Sequence, residues 1–195
     1  MALQKKASGA GLRRSAIFPC ALVVWGFANP VCAQNLPAER PALYAQYGQG
    51  EWGWQSMAIG ATLPWKGWSK DWGGGGWRGL WDFSLAQWTA NPPQGKSHST
   101  VAGAGMALRW RADQGRSPWF VQAGTGVQLS SPRFITAHGL MGSRFNFASH
   151  LAVGFAHGAQ RQHEWQLRME HSSNASIRKP NPGQNYLQLR YALHF

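Results

Sequence analysis

Cysteine is all but missing: the chain has two in 195 residues, Cys20 and Cys32, both ahead of residue 34. Acidic residues are scarce as well, seven Asp and Glu against nineteen Lys and Arg, and charged residues of both signs make up only 13% of the chain. A polymer that is 44% apolar, carries 12 Trp and is this poor in charge does not stay solvated as an open coil, so intrinsic disorder is excluded. Long apolar runs are lacking too. Ala16 to Ala28 is the only extended one, and its 13 residues fall short of the roughly 20 that cross ~30 Å of hydrocarbon as a helix. What is left is an all-β domain, or a protein that meets lipid by means other than helices, in a chain long enough for one domain or two small ones.

The first 33 residues read as a secretory signal peptide. Lys5, Lys6, Arg13 and Arg14 precede the apolar run, and Val31-Cys32-Ala33 ahead of Gln34 has the form of a cleavage site. Neither cysteine follows the small and aliphatic residues of a lipoprotein box. Residues 34–195 are therefore expected to form one domain with no thiol, disulfide or lipid anchor. Taking the four signal cations from 19 leaves 15 against seven acids, about +8 over 162 residues. In an exported protein this favours an anionic partner, lipopolysaccharide or anionic phospholipid rather than nucleic acid.

Past Pro41 the chain breaks into short alternating segments separated by turn residues, the pattern of a transmembrane β-barrel. From Leu187 the odd positions are Leu187, Leu189, Tyr191, Leu193 and Phe195, opposed by Gln188, Arg190, Ala192 and His194. Neighbouring side chains on a strand point to opposite faces, so this strand has one apolar and one polar face. Met106, Leu108 and Trp110 oppose Arg109 and Arg111; Trp119, Val121, Ala123, Thr125, Val127 and Leu129 oppose Gln122, Gly124, Gly126 and Gln128. Phe145, Phe147, Leu151, Val153 and Phe155 oppose Asn146, His150 and Gly154. Weaker strands near 42–49, 52–63, 77–89 and 162–173 bring the count to eight. The expectation is an eight-stranded antiparallel transmembrane β-barrel of the bacterial outer membrane, with no free edges and an interior filled by side chains rather than an open pore. Trp81, Trp110, Trp119 and Trp165 fit aromatic girdles.

A soluble sandwich or lipocalin-like barrel alternates too, but its exposed face is charged, whereas here the alternates to the apolar stripe are largely Gly, Ala, Gln and Ser. Residues 64–76, with Trp65, Trp68 and Trp72 among Lys66, Lys70 and four glycines, read either as a long turn or as part of a strand. With a periplasmic N-terminus, the links at residues 113–115 and 158–160 are short periplasmic turns. Residues 91–99, 130–144 and 174–183 are then the longer outer loops.

One segment breaks the alternation. In 163–173 the apolar Trp165, Leu167 and Met169 hold the odd positions, and the same parity puts His171 and Ser173 on the lipid face beside an outer loop. Residues two apart on a strand lie ~6.5–7 Å apart at Cα. A His beside a Ser hydroxyl can make the activated nucleophile of acyl transfer. The two residues can equally sit solvated and idle at headgroup level, and a His-x-Ser pair alone does not separate these readings.

The run His171-Ser172-Ser173-Asn174-Ala175 followed by Pro180-Asn181-Pro182-Gly183 and the terminal strand closely resembles the last hairpin of the lipid A 3-O-deacylase (PagL) family, over about 25 residues. The resemblance implies an outer-membrane esterase that removes the ester-linked 3-hydroxyacyl chain at position 3 of lipid A, without metal or other cofactor. Carried over by position, Ser173 is the nucleophile and His171 its general base. Asn174, with the backbone at Ala175 and Ser176, is a candidate oxyanion hole. Where the family has a Glu about fourteen residues after the His, this chain has Asn185, which implies either a His held by an amide oxygen or an impaired enzyme. Arg178 and Lys179, with Lys96, Arg133 and Arg144 in the other loops, are candidates for holding lipid A phosphates. Competing classes are a non-enzymatic barrel used in adhesion or membrane organisation, and a phospholipase or acyltransferase barrel. Assembly, including a homodimer, stays open.

Overall fold

A computed structural model describes residues 39–91 and 96–195; the expected signal peptide lies outside the described residues. Eight antiparallel strands form the wall: β1 (Ala42–Gly50), β2 (Gln55–Trp72), β3 (Gly75–Ala90), β4 (Ser97–Ala112), β5 (Trp119–Ser131), β6 (Phe145–His157), β7 (His163–Ser173) and β8 (Gln184–His194). Each pairs with its neighbours in sequence, and β1 pairs with β8 from Ala42↔His194 to Gly50↔Tyr186, which closes the barrel. Closure gives each of the eight strands a partner on both sides, although the far end of β2, past Thr62, extends beyond its pairing with β1; a sheet in hydrocarbon needs such closure to satisfy its backbone groups.

Parity decides which side chains face out. Leu43, Met57, Ile59, Leu85, Leu151, Met169 and Leu187 are all more than half exposed on the outer wall. An aromatic row runs around one end, since Trp119 pairs with Phe155, Phe155 with Trp165 and Trp165 with Tyr191. Two of the four Trp expected in girdles, Trp119 and Trp165, sit in this row. The stretch at 64–76 is strand on both sides of a tight turn at Gly73-Gly74. β2 continues past a register shift between Pro64 and Ser69, where proline has no N–H to give the ladder. Both glycines of the turn have positive φ, 67° and 71°.

The interior holds charge as well as the expected small and polar residues. Four of the seven acids, Glu39, Asp82, Glu164 and Glu170, meet four arginines there. Arg109 grips Glu164 with two bonds of 2.7 and 2.9 Å, and Asp82 accepts from Tyr44 (2.6 Å), Arg168 (3.1 Å) and Arg190 (2.9 Å). Charges taken from water hold only when paired and hydrogen-bonded. At the long-loop end Phe134, from the β5–β6 connection, packs on Trp54 and Trp88, and Trp88 on Tyr186. A lumenal cavity of about 50 Å³ beside Asp82, His150 and Arg168 has room for a water or two.

Glu39 closes the other end, 2.9 Å from Arg111 and 3.2 Å from Arg109. Burial by itself would raise its carboxyl, but the two guanidinium charges outweigh burial and hold it at about 2, below the ordinary 4.5. A depressed folded-state value contributes stability that is complete above pH 4.5 and fades as pH falls toward 2. Denaturant midpoints measured between pH 6 and pH 3 in detergent should drop more for the wild type than for Glu39→Gln.

Candidate active site

β7 and β8 form the hairpin on which the candidate residues stand. Their ladder sets His171 directly opposite Asn185, both exposed on the outer wall, and β6 sets Ser149 opposite His171 on the other side. Nδ1 of His171 lies 2.7 Å from Oδ1 of Asn185. An amide oxygen only accepts, so in this pair Nδ1 carries the proton and Nε2 presents its lone pair. Ser173 is half-buried one step toward the loop, paired with Phe147. Among the described residues no hydrogen bond joins it to His171.

The imidazole has a second constraint. Gly183 has φ +68°, and a Cβ there would come within 3.1 Å of His171 Cε1. Glycine suits this backbone conformation, and a side chain here would crowd the imidazole and push it by a few tenths of an ångström.

Asn174 organises the loop between the strands. It is buried, its backbone N–H donates to Asn181 Oδ1 (2.9 Å), its side-chain amide donates to the Arg178 carbonyl (2.6 Å), and its Oδ1 accepts from the Ser176 N–H (3.0 Å). Ala175 and Ser176 take up positive φ, 52° and 62°, a conformation that costs roughly 1–2 kcal/mol per non-glycine residue and needs such bonds to hold it. Of the three expected oxyanion donors, the Ser176 N–H and one Asn174 amide hydrogen are therefore committed within the loop. The Ala175 N–H makes no hydrogen bond among the described residues.

Arg178 and Lys179 are exposed on the same loop, and the Gly142 N–H bonds the Pro180 carbonyl at 2.8 Å, tying this loop to the β5–β6 connection that carries Arg133 and Arg144. Lys96 lies on the β3–β4 connection. Glu170, the acid nearest in sequence, points into the lumen and bonds Arg168 and Gln128, so it does not reach the imidazole side of the wall. No group of three or more His, Cys, Asp or Glu that could hold a metal ion occurs among the described residues.

Ser149 is a functional neighbour that the sequence alone does not single out. Its alternation signal was a gap between Phe147 and Leu151, and only the strand register brings it beside His171.

A family model described as lipid A 3-O-deacylase (PagL) matches residues 54–194. A lipid A deacylase PagL from Bordetella bronchiseptica is 32% identical over 115 residues, a stretch that is 58% of this chain and 61% of that protein; the match thus spans under two thirds of the relative's length. A crystal structure of the outer membrane enzyme PagL superposes with a TM-score of 0.67 at 20% identity, covering 79% of this chain and 99% of that one, which is a likeness of fold. The outer membrane protein Ail of Yersinia pestis, solved in a phospholipid nanodisc, gives a TM-score of 0.46 at 12% identity over 80% of this chain and all of the other.

Proposed function

The chain belongs to the lipid A 3-O-deacylase (PagL) family, and from that premise we propose that it is an outer-membrane esterase releasing the ester-linked 3-hydroxyacyl chain from position 3 of lipid A. The observation that carries the proposal is the outward-facing pair His171 and Asn185, joined at 2.7 Å beside Ser173 on a wall that is mostly apolar. A hydrogen-bonded imidazole turned toward lipid adds nothing to the packing of the barrel. It suits a substrate that is itself a lipid.

In this reading Ser173 Oγ attacks the ester carbonyl while His171 Nε2 takes its proton. Asn185 Oδ1 holds Nδ1–H, fixing the tautomer and steadying the imidazolium. Charge developing on the carbonyl oxygen is met by the Ala175 N–H, with Asn174 holding the loop that aims it. The tetrahedral intermediate collapses by breaking the bond to the sugar oxygen, which leaves with the proton from Nε2. Water, deprotonated by the same nitrogen, then cleaves the acyl-serine to give a 3-hydroxy fatty acid and free Ser173. The His171–Ser173 hydrogen bond forms as substrate engages, since catalytic bonds are often loose in unliganded enzymes. Arg178 and Lys179 bind phosphate at the rim, Arg by a bidentate fork and Lys as a point charge.

Refolded protein incubated with lipopolysaccharide in detergent should yield lipid A lighter by one 3-hydroxyacyl chain in the mass spectrum. Unchanged lipid A would overturn the proposal, and fatty acid released from phospholipid instead would make the barrel a phospholipase.

Asn185 gives a graded check. Asn185→Ala should slow deacylation about tenfold, the worth of one orienting hydrogen bond. Asn185→Glu should accelerate it, because a carboxylate stabilises the imidazolium as an amide cannot. Equal rates for all three would remove Asn185 from the mechanism.

A further inference from the structure

Two hydroxyls interrupt the apolar outer wall beside His171. On β5 Thr125 stands between Ala123 and Val127, and on β6 Ser149 stands between Phe147 and Leu151. Register aligns Thr125 with Ser149, Ser149 with His171 and His171 with Asn185, so four polar side chains form one row across β5 to β8. Immediately below runs an apolar row, Ala123, Leu151, Met169 and Leu187. Polar groups facing hydrocarbon are costly unless partnered.

The partners can be counted. Thr125 Oγ1 donates to the Ala148 carbonyl at 3.2 Å, which uses its only proton. Its 3.2 Å contact with Ser149 Oγ is therefore a donation by Ser149. Both protons are spent, and Ser149 Oγ keeps its lone pairs as an acceptor on the lipid side, next to the imidazole.

We propose that Ser149, fixed by Thr125, recognises the free 3-hydroxyl of the acyl chain to be cleaved; this rests on the deacylase reading above. Ser173 pairs with Phe147, which makes Ser149 its diagonal neighbour, ~7–8 Å away at Cα. An acyl chain attacked at its carbonyl by Ser173 and descending the wall carries C3 past the level of His171 and Ser149, since C3 is only two bonds, ~2.5 Å, from the carbonyl carbon. Its hydroxyl then donates to Ser149 Oγ. Below, the groove among Ala123, Leu151, Val153, Leu167, Met169 and Leu187 takes the rest of the chain. An unsubstituted chain leaves the acceptor unpaired. A chain whose 3-oxygen is etherified or acylated has no proton to give, so the row selects free 3-hydroxyacyl esters.

The test uses synthetic 3-O-acyl glucosamine phosphates in detergent, matched in length and carrying a 3-hydroxyacyl, an unsubstituted or a 3-methoxyacyl chain. Wild-type kcat/KM should favour the 3-hydroxy ester about tenfold over the other two, the scale of one neutral hydrogen bond. Ser149→Ala should bring the ratio near one by losing rate on the 3-hydroxy ester. Thr125→Val frees the Ser149 proton to donate to an ether, so preference for hydroxy over methoxy should shrink. Thr100→Val, which removes a remote outer hydroxyl paired with Gln87, should keep the tenfold ratio. Equal wild-type rates on all three esters, or a Ser149→Ala loss equal on all three, would overturn the inference and leave deacylation standing. Wild type that cleaves none of them and leaves lipopolysaccharide intact would remove both.

Discussion

Ser173→Ala is expected to lower the rate of lipid A deacylation by at least about 10³-fold while leaving the barrel folded, and His171→Ala to do nearly as much damage. The two residues act as a unit: without the hydroxyl there is nothing to acylate, and without the imidazole the hydroxyl keeps its proton. Their losses should therefore not add. The double variant is expected to retain the same residual rate as the worse single variant, whereas independent contributions would multiply. Neither substitution touches the lumenal network, because both side chains lie on the outer wall. Heat-modifiable migration on gels should accordingly be that of wild type. A Ser173→Ala protein that still deacylates at more than a tenth of the wild-type rate would reassign the nucleophile.

The largest effect on stability is expected from the lumen. Asp82→Ala deletes the acceptor shared by Tyr44, Arg168 and Arg190 at 2.6 to 3.1 Å. Arg168 keeps its ion pair with Glu170, but Arg190 is left among the described residues with the Gln46 amide oxygen, the face of the Tyr44 ring, 3.6 Å away, and the more distant charge of Glu170. A buried guanidinium stripped of its counterion costs roughly 3–5 kcal/mol. Urea unfolding in detergent should show that loss. Asp82→Asn, which keeps an acceptor but not the charge, should fall between. Wild-type stability in Asp82→Ala would mean that water in the lumen substitutes for the carboxylate.

What the sequence discloses differs along the chain for physical reasons. The outer face is legible wherever it is apolar, since lipid imposes a strict period of two. β8 shows this most plainly, from Leu187 to Leu193. Residues 64–76 are ambiguous in sequence because Trp65, Trp68 and Trp72 alternate with Lys66 and Lys70 in no clean period, and because the register shift after Pro64 exchanges faces midway. Parity is enough to turn Glu170 toward the lumen, since it alternates with Met169 and His171 on β7. It could not disclose who pairs with whom there, since Arg109 and Glu164 are 55 residues apart and Asp82 and Arg190 are 108 apart. At the site, His171 opposite Asn185 follows from a two-strand hairpin whose register parity can be guessed. Ser149 is not legible in the same way, because its neighbour across the sheet lies on another strand. The commitment of the Ser176 N–H to Asn174 was equally hidden, being fixed by left-handed backbone that sequence does not announce.

The filled lumen has a kinetic consequence. Phe134 packs at one mouth and Glu39 at the other, and Ser173 faces the outside of the barrel, so under the proposed function both substrate and fatty acid travel sideways along the wall. The encounter is two-dimensional. Turnover should then follow the mole fraction of lipid A within a mixed micelle or bilayer, so that diluting lipid A with inert detergent at constant total lipid A slows the reaction, while diluting the whole suspension with water does not.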